Sequence, residues 1–275
     1  MRGFGEIAER LRRSTVEVRI RGNAGGGSGV IWSAAGLVLT NAHVARSAEA
    51  EVELWDGRKL PARVASRDAR RDLALLRIGG PSGPDRLEPA APGDSAALRP
   101  GELVMAVGSP LGFAGALSRG AVHSIGPIEG MGPQTWIRAG VRLAPGNSGG
   151  PLANARGEVI GINTAIVNGL GVAIPSNAAA EFVRHGPRPA LGVALRPIPL
   201  GLLLMDVDAE GAAANASLQA GDVLLMSLDE LHTALDSGTE VLRLRFLRGA
   251  ADAGARRLPV REASVRLARR KAEAA

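Results

Sequence analysis

Residues 15–44 read TVEVRIRGNAGGGSGVIWSAAGLVLTNAHV. Val16, Val18 and Ile20 alternate with Glu17, Arg19 and Arg21, the period of two expected of a strand with one face in a core. Val30-Ile31-Trp32 and Leu37-Val38-Leu39 follow as short apolar runs set off by glycine-rich turns. The pattern recurs downstream, in Val52 and Leu54, Leu73 to Ile78, Leu103 to Val107 and Val159 to Ile166. Gly, Pro, Asn and Asp separate these runs, and no ten-residue helical period lies between them. Such a chain is expected to be mainly β, built of antiparallel barrels or sandwiches, and a βαβ dinucleotide fold is disfavoured.

Helical patterns flank the strands. Phe4, Ile7, Ala8 and Leu11 share one face of a short amphipathic helix. Ser176 precedes a second run containing Ala178, Phe182 and Val183 that stops at Gly186. The Pro/Gly-rich segment from His185 to Pro189 then reads as a linker. Beyond it, Ser227-Leu228-Asp229-Glu230 is a capping-box pattern, with Leu228, Leu231 and Leu235 on one helical face and Gly238 as the stop. Leu242, Leu244 and Phe246 alternate with Arg243 and Arg245 as a strand. The expected division is a large domain over 1–186, a smaller α+β domain over 187–262 and a basic tail over 263–275.

Composition limits the chemistry. The 275 residues are 45% hydrophobic and 22% charged, as in a globular chain. There is no cysteine, which excludes disulfides, thiolate zinc sites, iron–sulfur clusters and a cysteine nucleophile. No His-Glu-x-x-His pattern or carboxylate cluster suggests a metal, and no cofactor is expected. No apolar run approaches the length of a membrane span. The N-terminus, MRGFGEIAERLRRS, lacks the apolar core and cleavage site of a signal peptide, so the expectation from it is a cytoplasmic chain or one that has lost an export signal. Of the net charge of +6, the segment Arg256 to Ala275 carries +5. Nucleic acid is therefore disfavoured as a partner, and would be confined to the tail.

Three segments can carry chemistry: Thr40-Asn41-Ala42-His43-Val44, Asp72-Leu73-Ala74-Leu75-Leu76 and Gly146-Asn147-Ser148-Gly149-Gly150-Pro151. A serine hydroxyl is a poor nucleophile near neutral pH and needs an imidazole to take its proton. The imidazole in turn needs a carboxylate to fix its tautomer and stabilise its cation. The order His, Asp, Ser is that of the double-barrel serine proteases. Glycines around Ser148 allow the tight turn on which backbone N–H groups of the Gly146-Asn147-Ser148 segment, those of Gly146 and Ser148 in the first place, converge as an oxyanion hole.

In these segments the chain resembles the trypsin-like HtrA/Deg serine proteases, which join a protease domain to one or more PDZ domains. The matching stretches are Gly27-Ser28-Gly29-Val30-Ile31, Leu39 to Val44, Arg71 to Leu76, Ala106-Val107-Gly108-Ser109-Pro110-Leu111-Gly112, Ala144 to Leu152 and Gly171-Val172-Ala173-Ile174-Pro175. The resemblance implies a trypsin-like double barrel with His43 as general base, Asp72 as its orienting carboxylate and Ser148 as nucleophile. It also implies endoproteolysis of unfolded or damaged polypeptides after small aliphatic residues, without a cofactor, by a homotrimer held through its N-terminal segments. Leu143, Ala144, Ile162, Asn163 and Thr164 are the expected walls of the specificity pocket. Family members often carry a Thr-Asp pair where Ala139-Gly140 stands here.

The C-terminal region resembles a PDZ domain. Leu191, Gly192 and Val193 stand where that domain's carboxylate-binding loop would capture C-terminal peptides, and Ala220 to Leu225 matches its Gly-Asp-hydrophobic segment. The chain passes from Met226 almost directly into the capping box, omitting a strand and turn, so this is a reduced PDZ-like domain. The competing expectation is a catalytically silent peptide-binding or chaperone-like protein. By family resemblance the alternative compartment is periplasmic.

Overall fold

A computed structural model describes residues 3–20, 26–79, 87–109, 115–131, 134–187, 189–237, 239–249 and 259–267. These divide into two compact units after Pro187.

The first unit opens with helix α1 (Phe4–Arg13), followed by β1 (Thr15–Ile20), β2 (Gly26–Ser33), β3 (Leu37–Thr40), β4 (Glu49–Glu53), β5 (Lys59–Asp68) and β6 (Leu73–Ile78). These six strands close a barrel in the order β1-β2-β3-β6-β5-β4. Closure leaves no free sheet edge. A second closed barrel contains β7 (Leu103–Gly108), β8 (Ala116–Gly126), β9 (Trp136–Ala139), β10 (Pro151–Asn154), β11 (Val159–Val167) and β12 (Leu170–Pro175), in the order β10-β11-β12-β9-β8-β7. All of their pairings are antiparallel.

The alternation that predicts β1 holds in detail, since Val16, Val18 and Ile20 are buried while Glu17 and Arg19 are half-exposed. Their buried faces fill the first barrel together with Val38, Val52 and Leu76. A larger cluster joins the two barrels. In it Leu39, Leu73 and Leu75 of the first barrel meet Met105, Val159 and Ile162 of the second, along with Ile7 and Leu11 of α1. Helix α2 (Ser176–His185) packs against β6, β11 and β12, and its Phe182 is fully buried in the same cluster.

Phe182→Ala is therefore expected to destabilise the first unit by about 3–5 kcal/mol, the usual cost of emptying a buried aromatic site. All three tryptophans, Trp32, Trp55 and Trp136, lie in this unit, so denaturation followed by their fluorescence reports it separately from the second unit. A loss below about 1 kcal/mol would mean that the helix is not part of its cooperative core.

The second unit is a five-stranded antiparallel sheet of β13 (Val193–Ile198), β14 (Gly201–Val207), β15 (Val223–Leu224), β16 (Val241–Leu247) and β17 (Arg261–Arg266), ordered as numbered. It is accompanied by α3 (Ala212–Asn215) and α4 (Leu228–Asp236). The capping box forms as the sequence predicts: Ser227 Oγ accepts from the Glu230 N–H, and the Glu230 carboxylate accepts from the Ser227 N–H. One helix turn after β15 the chain is already in α4, which agrees with the shortened connection. A sheet with few helices fits a reduced PDZ-like domain.

One expectation is corrected. Residues 263–266, read as the start of a basic tail, continue the sheet, with Ala263 opposite Leu244 and Val265 opposite Leu242. Their alternating apolar side chains are buried in the second core. Arg256, Arg257, Arg269, Arg270 and Lys271, on which a nucleic-acid contact would rest, lie outside the described residues, as do Pro110 to Gly112 and Gly238.

Candidate active site

The first barrel supplies the imidazole and the carboxylate. His43 follows β3 in a turn, and Asp72 immediately precedes β6, the strand paired with β3. The antiparallel β3–β6 register thus brings together two side chains 29 residues apart. His43 Nδ1 lies 2.7 Å from Asp72 Oδ2, and the His43 backbone N–H donates to Asp72 Oδ1 at 3.0 Å. A carboxylate only accepts, so Nδ1 carries the proton and Nε2 is left free to take one.

Asp72 adopts φ of +56°, a left-handed conformation that Asp tolerates better than most side chains. Two contacts oppose its relaxation: Asn41 Nδ2 donates to the Asp72 carbonyl at 2.9 Å, and Thr164 Oγ1 donates to Asp72 Oδ2. The loop ahead of it is secured by buried Arg71, which lies between Asp68 and Glu181 of α2. His43 and Asp72 remain partly exposed, as a site open to substrate requires.

Ser148 sits in the second barrel, in the segment that leads into β10. Two turns in succession shape it. The Asn147 N–H donates to Ala144 O at 3.0 Å with Gly146 at φ +103°, and the Gly150 N–H donates to Asn147 O at 3.0 Å with Gly149 at φ +88°. A positive φ only at the third residue identifies both as type II, for which Pro145 and Gly146 are the favoured central pair. A type I turn would rotate the Pro145–Gly146 peptide by roughly half a turn and carry the Gly146 N–H with it. At Gly149 a Cβ would lie 2.0 Å from Ser28 O and 2.3 Å from Thr40 Oγ1, so glycine is required sterically as well.

Among the described residues, neither the Gly146 nor the Ser148 N–H has a protein acceptor. Asn147, grouped with them on sequence grounds, is corrected: its N–H closes the first turn on Ala144 and is not available to a ligand. The Ser148 hydroxyl donates to Thr164 O at 3.1 Å, so at rest it is not directed at His43.

A cavity of about 210 Å³ opens beside Ser148, lined by Leu143, Ala144, Pro145, Asn147, Thr164, Ala165 and Ile166. Three of the expected walls are present, and two are not. Ile162 points into the core between the barrels, and Asn163 is buried with its side-chain amide donating to Pro151 O at 2.9 Å. Both faces of β11 are covered from Val159 to Thr164, so Ile162 and Asn163 are enclosed, and the strand meets the cavity only at its end, where Ala165 and Ile166 follow a register shift between Asn163 and Ala165. Pro145, Ala165 and half-exposed Ile166 were missed by the sequence reading, although Ile166 ends the apolar run already taken for a strand.

In the second unit, Leu191 is buried and its carbonyl accepts from the Ala213 N–H, while the Gly192 carbonyl accepts from the Asp208 N–H. Val193 begins β13, which among the described residues is an edge strand paired on one side only, with β14. Among the described residues no group of three or more His, Asp or Glu side chains is placed to hold a metal ion, and no helix is long and apolar enough to cross a membrane.

Known proteins are similar to this chain in sequence and fold. The trypsin-like peptidase domain family matches residues 27–162. A probable periplasmic serine endoprotease, DegP-like, from Halomonas elongata is 38% identical over 227 residues, covering 72% of this chain and 47% of that protein. The protein of the same description from Brucella suis is 37% identical over 224 residues, covering 72% and 43%. The chain thus spans about half the length of these relatives. Among solved structures, the HtrA-type protease AlgW with tripeptide superimposes with a TM-score of 0.65 at 25% identity, over 97% of both chains. The serine endoprotease from Yersinia pestis shares the fold, with a TM-score of 0.65 at 24% identity over 97% of this chain and 98% of that one.

Proposed function

Because the chain belongs to the HtrA/Deg family of trypsin-like serine proteases, we propose that it is a serine endopeptidase in which Ser148 is the nucleophile, His43 the general base and Asp72 the orienting carboxylate. The observation that carries this reading is the arrangement around Asp72. One carboxylate fixes the imidazole through both its ring N–H and its backbone N–H, leaving Nε2 as the acceptor. Acylation of Ser148 requires its hydroxyl to leave Thr164 O and donate to His43 Nε2. Attack on the peptide carbonyl carbon passes the serine proton to Nε2, and the same proton goes to the leaving amine as the C–N bond breaks. Water repeats the cycle on the ester, and the developing oxyanion is held by the Gly146 and Ser148 N–H groups.

Substrates in this reading are unfolded or damaged polypeptides, because an extended chain must enter the open site between the barrels. The small cavity walled by Leu143, Ala144, Ala165 and Ile166 has no charged side chain to match a basic residue. Small aliphatic residues before the scissile bond are therefore expected to raise kcat/KM at least about tenfold over Lys or Asp in an otherwise identical peptide series. A preference for Lys would overturn the pocket assignment. The relatives are named periplasmic, which supports a compartment outside the cytoplasm and gives no support to the cytoplasmic expectation. A homotrimer seated through α1 is part of the same proposal, supported by the half-exposed Phe4 at its start. So is capture of C-terminal peptides beside Leu191, Gly192 and Val193, supported by the open edge of β13.

One observation favours the second reading, a silent peptide binder: the Ser148 hydroxyl engages a carbonyl in place of the imidazole. Fluorophosphonate labelling separates the two, since it requires an activated serine and peptide binding does not.

A further inference from the structure

Ser28, in β2 of the first barrel, touches neither the imidazole nor the carboxylate, yet it makes the closest polar contacts with the nucleophile segment. It is fully buried. Its Oγ donates to Gly146 O at 2.6 Å and accepts from the Ser109 N–H at 2.9 Å. Its backbone N–H donates to Ser148 O at 2.7 Å, and its carbonyl accepts from Thr40 Oγ1 at 2.7 Å. The direction of the side-chain bonds is unambiguous. Ser109 N–H can only donate, so the single hydroxyl hydrogen of Ser28 is directed to Gly146.

From this we propose that Ser28 is a positioning residue for the oxyanion hole, a role that rests on the endopeptidase reading. The Gly146–Asn147 peptide lies between the two N–H groups of the hole. Its N–H is tied to Ala144 and its carbonyl to Ser28, so both ends of the peptide plane are held. Gly146 has no Cβ to restrain it, and without the Ser28 hydroxyl the peptide is free to rotate toward turns that redirect the hole. Because Ser28 belongs to the barrel that carries His43 and Asp72, the same hydroxyl references the hole to the base across the interface between barrels. Alanine would fill nearly the same space but could not do this. The neighbourhood is cut to fit the hydroxyl, since a Cβ at Gly108 would come within 2.9 Å of it.

The test compares Ser28→Ala with Thr40→Ala in the full chain. Thr40→Ala also deletes one buried hydroxyl bond, the one to the Ser28 carbonyl, but leaves Gly146 O held. Each variant is assayed for kcat, KM and thermal stability, and for affinity toward a peptide aldehyde and the alcohol of the same sequence. The aldehyde takes the Ser148 oxygen at its carbonyl carbon, its C=O becoming a C–O that sits in the hole while the serine proton passes to His43. The alcohol binds without that step. Loss of an oxyanion donor costs about 10²–10³-fold in kcat, and a donor left in place but unrestrained is expected to cost about 10–100-fold.

Ser28→Ala should show that loss in both kcat and aldehyde affinity, with KM and alcohol affinity within about twofold. Thr40→Ala should show a comparable fall in Tm with kcat within about threefold. Equal effects of the two variants on kcat, or a parallel loss of aldehyde and alcohol affinity, would overturn the positioning role. If Ser28→Ala does not fold, Ser28→Cys, of similar size with a weaker donor, carries the same comparison. A wild type that neither cleaves peptides nor takes a fluorophosphonate rejects the endopeptidase reading itself, whereas an active wild type with an unaffected Ser28→Ala rejects only this inference.

Discussion

Ser148→Ala is expected to lower casein and peptide turnover by about 10⁶-fold, the scale found when a triad serine is removed in subtilisin, and to abolish fluorophosphonate labelling. The side chain is small and partly exposed, and among the described residues its hydroxyl donates to Thr164 O at 3.1 Å. The two turns that position it depend on Pro145, Gly146 and Gly149 and not on its hydroxyl. The variant should therefore keep its thermal stability to within a few degrees, which separates a chemical loss from a folding one. It should still bind peptide, and a residual rate over water of about 10³–10⁴ is expected from the oxyanion hole and binding alone. Turnover within tenfold of wild type would remove Ser148 from the mechanism and leave the fold without its nucleophile.

The second large effect is at Asp72→Asn, for which a fall in kcat of about 10⁴ near neutral pH is expected. The surrounding hydrogen bonds say why. Oδ1 must accept from the His43 backbone N–H, so the asparagine oxygen has to occupy that place and its NH₂ is forced toward the imidazole and Thr164. Thr164 can adapt by rotating its hydroxyl to accept. The imidazole adapts only by moving its proton to Nε2, where it can no longer take the proton of Ser148. The variant should fold, bind peptide with nearly unchanged KM and show the altered tautomer in the ¹⁵N spectrum of His43. A kcat within about tenfold of wild type, or an unchanged tautomer, would show that Asp72 does not set the state of the base. Thr164 thus serves the site in more than one way: it lines the cavity, its hydroxyl donates to the carboxylate and its backbone carbonyl accepts from Ser148.

Besides nominating His43, Asp72 and Ser148 as candidates, the amino-acid sequence by itself determined the strand pattern, the glycine turns and the capping box at Ser227. Those features are local: a period of two, a turn chemistry or a cap is decided by residues within a few positions of one another. Tertiary structure decided the rest. Which residues of β11 face the cavity depended on how far the neighbouring elements cover the strand and on a register shift, which left Ile162 and Asn163 inside and Ala165 and Ile166 at the opening. Residues 263–266 became part of a strand because β16 offered a partner edge, although they lead into a basic segment. The link from Ser28 to Gly146 spans 118 residues and has no signature in either segment alone, because a single hydroxyl–carbonyl bond imposes no periodicity and exists only once two closed barrels have been brought face to face.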